Sequence, residues 1–168
     1  MEKKFELTDK FVFNTFGIKL FQIKCTKSFK YAKEGDLGGY VEKDENLDQE
    51  SDAWVYGDAW VSGNARVSGN AQVSGDAWVS GDTQVSGDAD IENDNNHCGF
   101  DCFGSCNRHT HAYLTKDNKV EITCGCFRGS IEEFEKKVEK THSGTIYEKQ
   151  YKAIINVIKI KFGLTDLI

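Results

Sequence analysis

The sequence predicts a mainly β protein: a short parallel coil of hexapeptide repeats, an N-terminal β-hairpin cap and a C-terminal α+β unit. Three observations carry this. Aliphatic residues recur every six positions from Val55 to Ile91. Two short apolar runs near the N-terminus flank a turn sequence. The C-terminal residues show helix-period apolar stripes with start signals. The corresponding division is 1–34 for the hairpin, 35–96 for the repeats, and 97–168 for a Cys/His-rich hairpin plus two helices.

In the first segment, Phe11 and Phe13, then Ile18, Leu20 and Ile23, flank Asn14-Thr15-Phe16-Gly17, which reads as a hairpin turn. The ends of a solenoid need covering, and this hairpin is expected to cover one. Lys33-Glu34-Gly35-Asp36-Leu37-Gly38-Gly39-Tyr40 is a turn cluster leading into the repeats. Leu37, Val41 and Leu47 outline a less regular first coil, with a short insertion before Ala53.

The repeat unit reads A-x-V-S-G-D/N. Its Ala and Val, two apart, share one strand face, and the residue between them points outward. Ser-Gly-Asp/Asn makes a corner, since Gly and Asn/Asp tolerate positive φ. A corner every six residues closes a three-sided coil in about eighteen, so residues eighteen apart stack. This signature resembles the left-handed parallel β-helix family, whose connections are corners rather than helices. Trp60 then stacks on Trp78, Arg66 on Gln84, and Trp54 on Gln72 and Asp90, all pointing outward. An outward tryptophan strip is either covered by a terminal segment of the same chain or offered to a partner. A homotrimer, as in other hexapeptide proteins, is a third option.

Charge is unevenly spread. The net charge is −6, with residues 1–34 and 97–168 mildly basic and 35–96 strongly acidic. An acidic block repels nucleic acid and suits a basic protein surface. No stripe of Arg/Lys interleaved with aromatics speaks for direct nucleic-acid binding. The partner-binding candidates are therefore Trp54, Trp60, Trp78, Asp76, Asp82 and Asp88 in the repeats, with Glu132 and Glu133 beyond them.

In the last segment, Tyr113–Thr115 and Val120–Thr123 read as a hairpin that carries Cys124 and Cys126 onto one strand face. Ser130 with Glu133 forms a capping box opening a helix whose apolar stripe is Phe134 and Val138. A final helix from about Tyr147 to Phe162 places Tyr151, Ile154, Ile155 and Ile158 on one side. Cys98, Cys102, Cys106, Cys124 and Cys126 crowd together in sequence, accompanied by His97, His109, His111 and His142. Zinc takes four soft ligands. The expectation is a structural zinc held by three thiols of a Gly-rich loop plus Cys124 or Cys126, with His109 and His142 as substitutes. Buried small hydrophobes are the alternative reading of the thiols, and the one applied to Cys25.

No run of eighteen apolar residues occurs, and MEKKFELTDK lacks a following apolar stretch. No membrane span, no secretory signal and a reducing, cytoplasmic setting are expected. Residues 1–96 contain no histidine, so the repeats offer no evident general base for acyl transfer. A Cys–His nucleophile from Cys124 or Cys126 with His142 lacks a recognisable signature.

The run Lys33–Glu42, the A-x-V-S/Y-G-D/N repeats, and Cys124-Gly125-Cys126-Phe127-Arg128-Gly129 with Ile131–Glu135 together resemble a group of small phage and prophage proteins. A zinc-containing member of this shape is similar to a type II anti-CRISPR protein. The resemblance implies a non-enzymatic, phage-encoded inhibitor that binds a host defence protein, a CRISPR effector nuclease, and blocks nucleic-acid loading. The alternatives are an acyltransferase-like hexapeptide-repeat enzyme and a structural phage component.

Overall fold

The computed structural model describes residues 2–164. It is mainly β with a C-terminal helix pair, and it divides into two compact units, Met1–Asp94 and Asn95–Ile168. The N-terminal hairpin and the repeats thus belong to one unit. Ala53, Ala59, Ala65, Ala71, Ala77 and Ala89, with Val55, Val61, Val67, Val73, Val79, Val85 and Ile91, form the interior of its repeats, each at most 1% exposed.

In the first unit β1 (Phe5–Phe13) and β2 (Lys19–Cys25) pair antiparallel around the predicted turn. Asn14 organises that turn by accepting from the Phe16 and Ile18 amides through its side-chain oxygen. Then come β3 (Leu37–Val41) and seven two-residue strands: β4 (Trp54–Val55), β5 (Trp60–Val61), β6 (Arg66–Val67), β7 (Gln72–Val73), β8 (Trp78–Val79), β9 (Gln84–Val85) and β10 (Asp90–Ile91). Strands eighteen residues apart pair in parallel: β4 with β7 and β7 with β10, β5 with β8, β6 with β9. The stacking expected from the period is observed pair for pair.

At the first coil the offset is twenty, Val41 pairing with Val61 and Leu47 with Val67, so two extra residues lie between Leu47 and Val55. Here Gly39 takes the small-residue position. A Cβ on it would lie 2.7 Å from the Ala59 carbonyl oxygen. Leu37, counted with the first coil, is exposed. The hairpin edges this coil, β2 pairing with β3.

The corners differ from the expectation in one respect. Only the glycines adopt positive φ, from 55° at Gly57 to 70° at Gly81; the Asn or Asp that follows does not. With Ala65 donating to the Ser62 carbonyl at 3.3 Å, and the same backbone bond at Ala59, Ala71, Ala77 and Ala89, these corners are turns with Gly at the first central position; at Ser80–Thr83 the Thr83 hydroxyl donates to the Ser80 carbonyl at 2.7 Å. The polar residue instead bonds up the stack, Asn64 to Asp82 at 3.0 Å and Asn70 to Asp88 at 3.3 Å.

The second unit is an antiparallel sheet in the order β11 (His97–Phe103), β12 (Arg108–Leu114), β13 (Val120–Cys124), β14 (Phe127–Ser130), followed by α1 (Ile131–His142) and α2 (Ile146–Lys161). Ser130 caps α1 by accepting from the Glu133 amide at 3.2 Å, and Glu133 returns the bond to the Ser130 amide at 2.8 Å. Phe134 and Val138 of α1, with Tyr151, Ile154, Ile155 and Ile158 of α2, bury against Ala112, Val120, Ile122 and Cys124 of the sheet. No helix of the described residues is long and apolar enough to cross a membrane.

Candidate functional site

Trp54, expected at a partner surface, is instead 1% exposed. Phe5 and Phe29 lie edge-on to its ring, at 6.4 and 5.4 Å between centroids. The cause is the insertion before Ala53. Gln49 accepts from the Lys4 and Phe5 amides and donates to the Phe5 carbonyl, pairing like a strand with the start of β1. Lys4 donates to the Ser51 and Ala53 carbonyls at 2.6 and 2.8 Å. These bonds draw the chain start over Trp54. Burial pushes the Lys4 amine down to about 8.

Trp60 and Trp78 remain half-buried and touch edge to face at 6.1 Å. Phe16, from the hairpin turn and 78% exposed, lies 5.8 Å from Trp78. The three therefore form an aromatic column of which the chain itself covers only part. Asp76, Asp82 and Asp88 are exposed, but they precede β8, β9 and β10, which belong to three different sheets, so they do not form one acidic face. Glu132 and Glu133 are occupied at the head of α1. Glu133 closes the capping box, while Ser130 donates to Glu132 at 2.8 Å and holds its carboxyl below the usual range.

The expected thiol loop is a β-hairpin. Cys98 lies on β11 and packs against the helix-bearing core; burial pushes its thiol up to about 11, the behaviour of a small hydrophobe. Cys102 is exposed at the bulge of β11 with φ 63°, and Cys106 is exposed in the turn that follows. Cys124 ends β13, buried, whereas Cys126 does not share its strand face. It sits exposed in the two-residue Gly125-Cys126 turn, because Cys124 pairs directly with Phe127. Gly125, φ 60°, stands at the first central position of this hairpin turn. Among the described residues no group of three or more His, Cys, Asp or Glu forms that could hold a metal ion, and nothing in this arrangement supports the zinc ligation expected from the spacing.

The structure does bring Cys106, Cys124, Cys126 and His142 to one surface cavity of about 230 Å³ in the second unit. Its floor is apolar: Phe127, Phe134, Val138 and the ring of Tyr151. Thr110 donates to the Cys124 sulfur at 3.3 Å, and the Tyr151 hydroxyl lies 3.8 Å from it. Burial, with Cys124 adding to it, pushes the Tyr151 phenol up to about 12, so it stays neutral. His142 stacks on Tyr151 at 5.5 Å. Two turn glycines make the arrangement fit. A Cβ on Gly104 would overlap the Tyr151 hydroxyl, and one on Gly125 would overlap the Arg108 guanidinium. Arg108, Lys137 and Thr141 complete the rim.

Across β12 from this core lies a chain of histidines, which by their spacing alone are no more than ligand candidates. His97 Nδ1 is 3.0 Å from His111 Nε2, and His109 Nδ1 is 2.5 Å from Asp101. Tyr113 donates to Glu121 at 2.7 Å, and Arg128 pairs with the same carboxylate. Arg108, Lys137 and Tyr151 escaped sequence reasoning as site residues because they come from β12, α1 and α2, with no spacing motif to join them. No protein-family model matches this chain, and no curated protein matches it.

Proposed function

We propose that the repeats wind as a short left-handed parallel β-helix, and that the protein is a non-enzymatic, phage-encoded inhibitor. Its target in this reading is a host defence protein in the bacterial cytoplasm, a CRISPR effector nuclease, whose nucleic-acid loading it blocks. The left hand is supported by the connections, which are tight turns around positive-φ glycines. The packing constraint that makes helical crossovers right-handed does not act on them.

The observation that carries the functional reading is the partly uncovered aromatic column Phe16–Trp78–Trp60. The two tryptophan rings, held on paired strands, lose little rotamer freedom on docking, and aromatic anchors dominate interface energies. Asp58 and Asp76 are exposed at the corner preceding these two strands, which favours a basic partner surface. The resemblance of residues 33–42 and 124–135 to small phage proteins supports the choice of target.

The test is a gel-shift assay of guide-loaded effector nuclease binding its DNA, titrated with wild-type protein and with the Trp60→Ala/Trp78→Ala double variant. Inhibition by the wild type, weakened tenfold or more in a folded double variant, is expected. Absence of inhibition across a panel of effectors, or undiminished inhibition by the variant, overturns the reading.

A further inference from the structure

The cavity of the second unit has a charge composition unlike the chain around it. The protein is acidic, yet among the described residues no carboxylate lines this cavity, whereas Arg108, Lys137 and His142 do. The nearby acids are engaged elsewhere: Glu135 with Lys159 at 2.6 Å, Glu139 with Lys152 at 3.5 Å, Glu121 with Arg128, and Glu133 at the helix cap. Arg108 and Lys137 form no ion pair among the described residues. Two cations without counter-charge at the mouth of an apolar pocket raise the local potential, and an anion relieves it.

We propose that this cavity binds a small organic monoanion with an apolar body, an aromatic or short aliphatic carboxylate. Arg108 and Lys137 take the carboxylate, and Phe127, Phe134, Val138 and Tyr151 take the body. Arginine suits the role because its planar fork meets both oxygens of a carboxylate. Gly125 keeps the guanidinium in place, since its missing Cβ leaves the space that Arg108 fills. The size agrees: a surface cavity of about 230 Å³ has room for a single ring and its acid group. The neutral phenol of Tyr151 adds no opposing charge. This inference is independent of the docking surface on the first unit.

The test is an amide NMR titration of the full chain with three single-ring probes of similar size and different charge: benzoate, benzyl alcohol and benzylamine. Saturable shifts with benzoate at residues 105–108, 124–127 and 137–142 are expected, with much weaker responses to the neutral and cationic probes. Arg108→Gln is expected to weaken benzoate binding about tenfold or more, and Lys137→Gln about threefold. Lys137 is exposed on a helix, so that variant keeps the test available if Arg108→Gln misfolds. Benzoate is also expected to slow alkylation of Cys106 and Cys126, the two exposed thiols of the cavity. Equal response to benzylamine, no saturable shift at tens of millimolar benzoate, or wild-type binding in both variants would overturn the assignment.

Discussion

Replacing Trp54 by alanine separates its structural role from a surface role. Its ring is buried between Phe5, on the chain start that Gln49 and Lys4 pin, and Phe29, over whose ring the Lys4 amine lies at 5.0 Å. A pinned wall collapses poorly into a void, so the loss stands at the upper end of the range for a buried Trp→Ala, about 4–5 kcal/mol. The two edge-to-face pairs account for about 0.5–1.5 kcal/mol each of that. Trp60 is half-buried, and Trp60→Ala is expected to cost about 1–2 kcal/mol. All three tryptophans of the chain lie in the first unit, so intrinsic fluorescence during urea unfolding reports that unit alone. With a slope of about 1.3 kcal/mol per molar urea, Trp54→Ala moves the midpoint down by about 3–4 M and Trp60→Ala by about 1 M. Trp54→Phe should fall between them. Equal midpoints for Trp54→Ala and Trp60→Ala would refute the argument that the chain start is locked over this ring.

Other outcomes follow from the same contacts. Gly69 and Gly81 have nearly the same φ, 69° and 70°, but a Cβ at Gly69 would lie 2.8 Å from the Gly87 amide nitrogen while one at Gly81 meets nothing within 4 Å. Each substitution by alanine costs about 1–2 kcal/mol of backbone strain, and Gly69→Ala adds overpacking, so its melting temperature should lie at least about 4 °C below that of Gly81→Ala. Lys4, lowered to about 8 against about 10.4 when unfolded, binds fewer protons in the folded state between those values. The cost of burying its charge is fully present below pH 8 and is relieved as pH rises towards 10.4. The stability of wild type relative to Lys4→Met should therefore climb by up to about 3 kcal/mol over that range in denaturant titrations; a flat or falling difference contradicts the burial argument. Ser130→Ala removes the α1 cap and should cost the second unit about 1 kcal/mol by thermal melting at 222 nm; a loss below about 0.3 kcal/mol would show the cap to be idle.

Periodicity determined the parts of this protein that depend only on neighbours along the chain. The six-residue rhythm placed every short strand and every eighteen-residue stacking partner, because a pleated face and a glycine corner are local properties. Ser130 with Glu133 announced α1, and the turn Asn14–Gly17 announced the first hairpin, for the same reason. The insertion before Ala53 was also visible as a break in the rhythm.

What the insertion does was not visible. Its role depends on Gln49 and Lys4 meeting across more than forty residues of chain, and that meeting turned Trp54 from a surface residue into a core one. The cysteine spacing misled because thiols alternate along a strand and fall into turns as readily as they gather in a loop. Cys98, Cys124 and Cys126 end in a core, at a strand end and in a turn. The cavity lined by Arg108, Lys137 and Tyr151 exists only once five elements pack, since unmatched charge and shared empty space are properties of neighbours in three dimensions that no order of residues along one chain expresses.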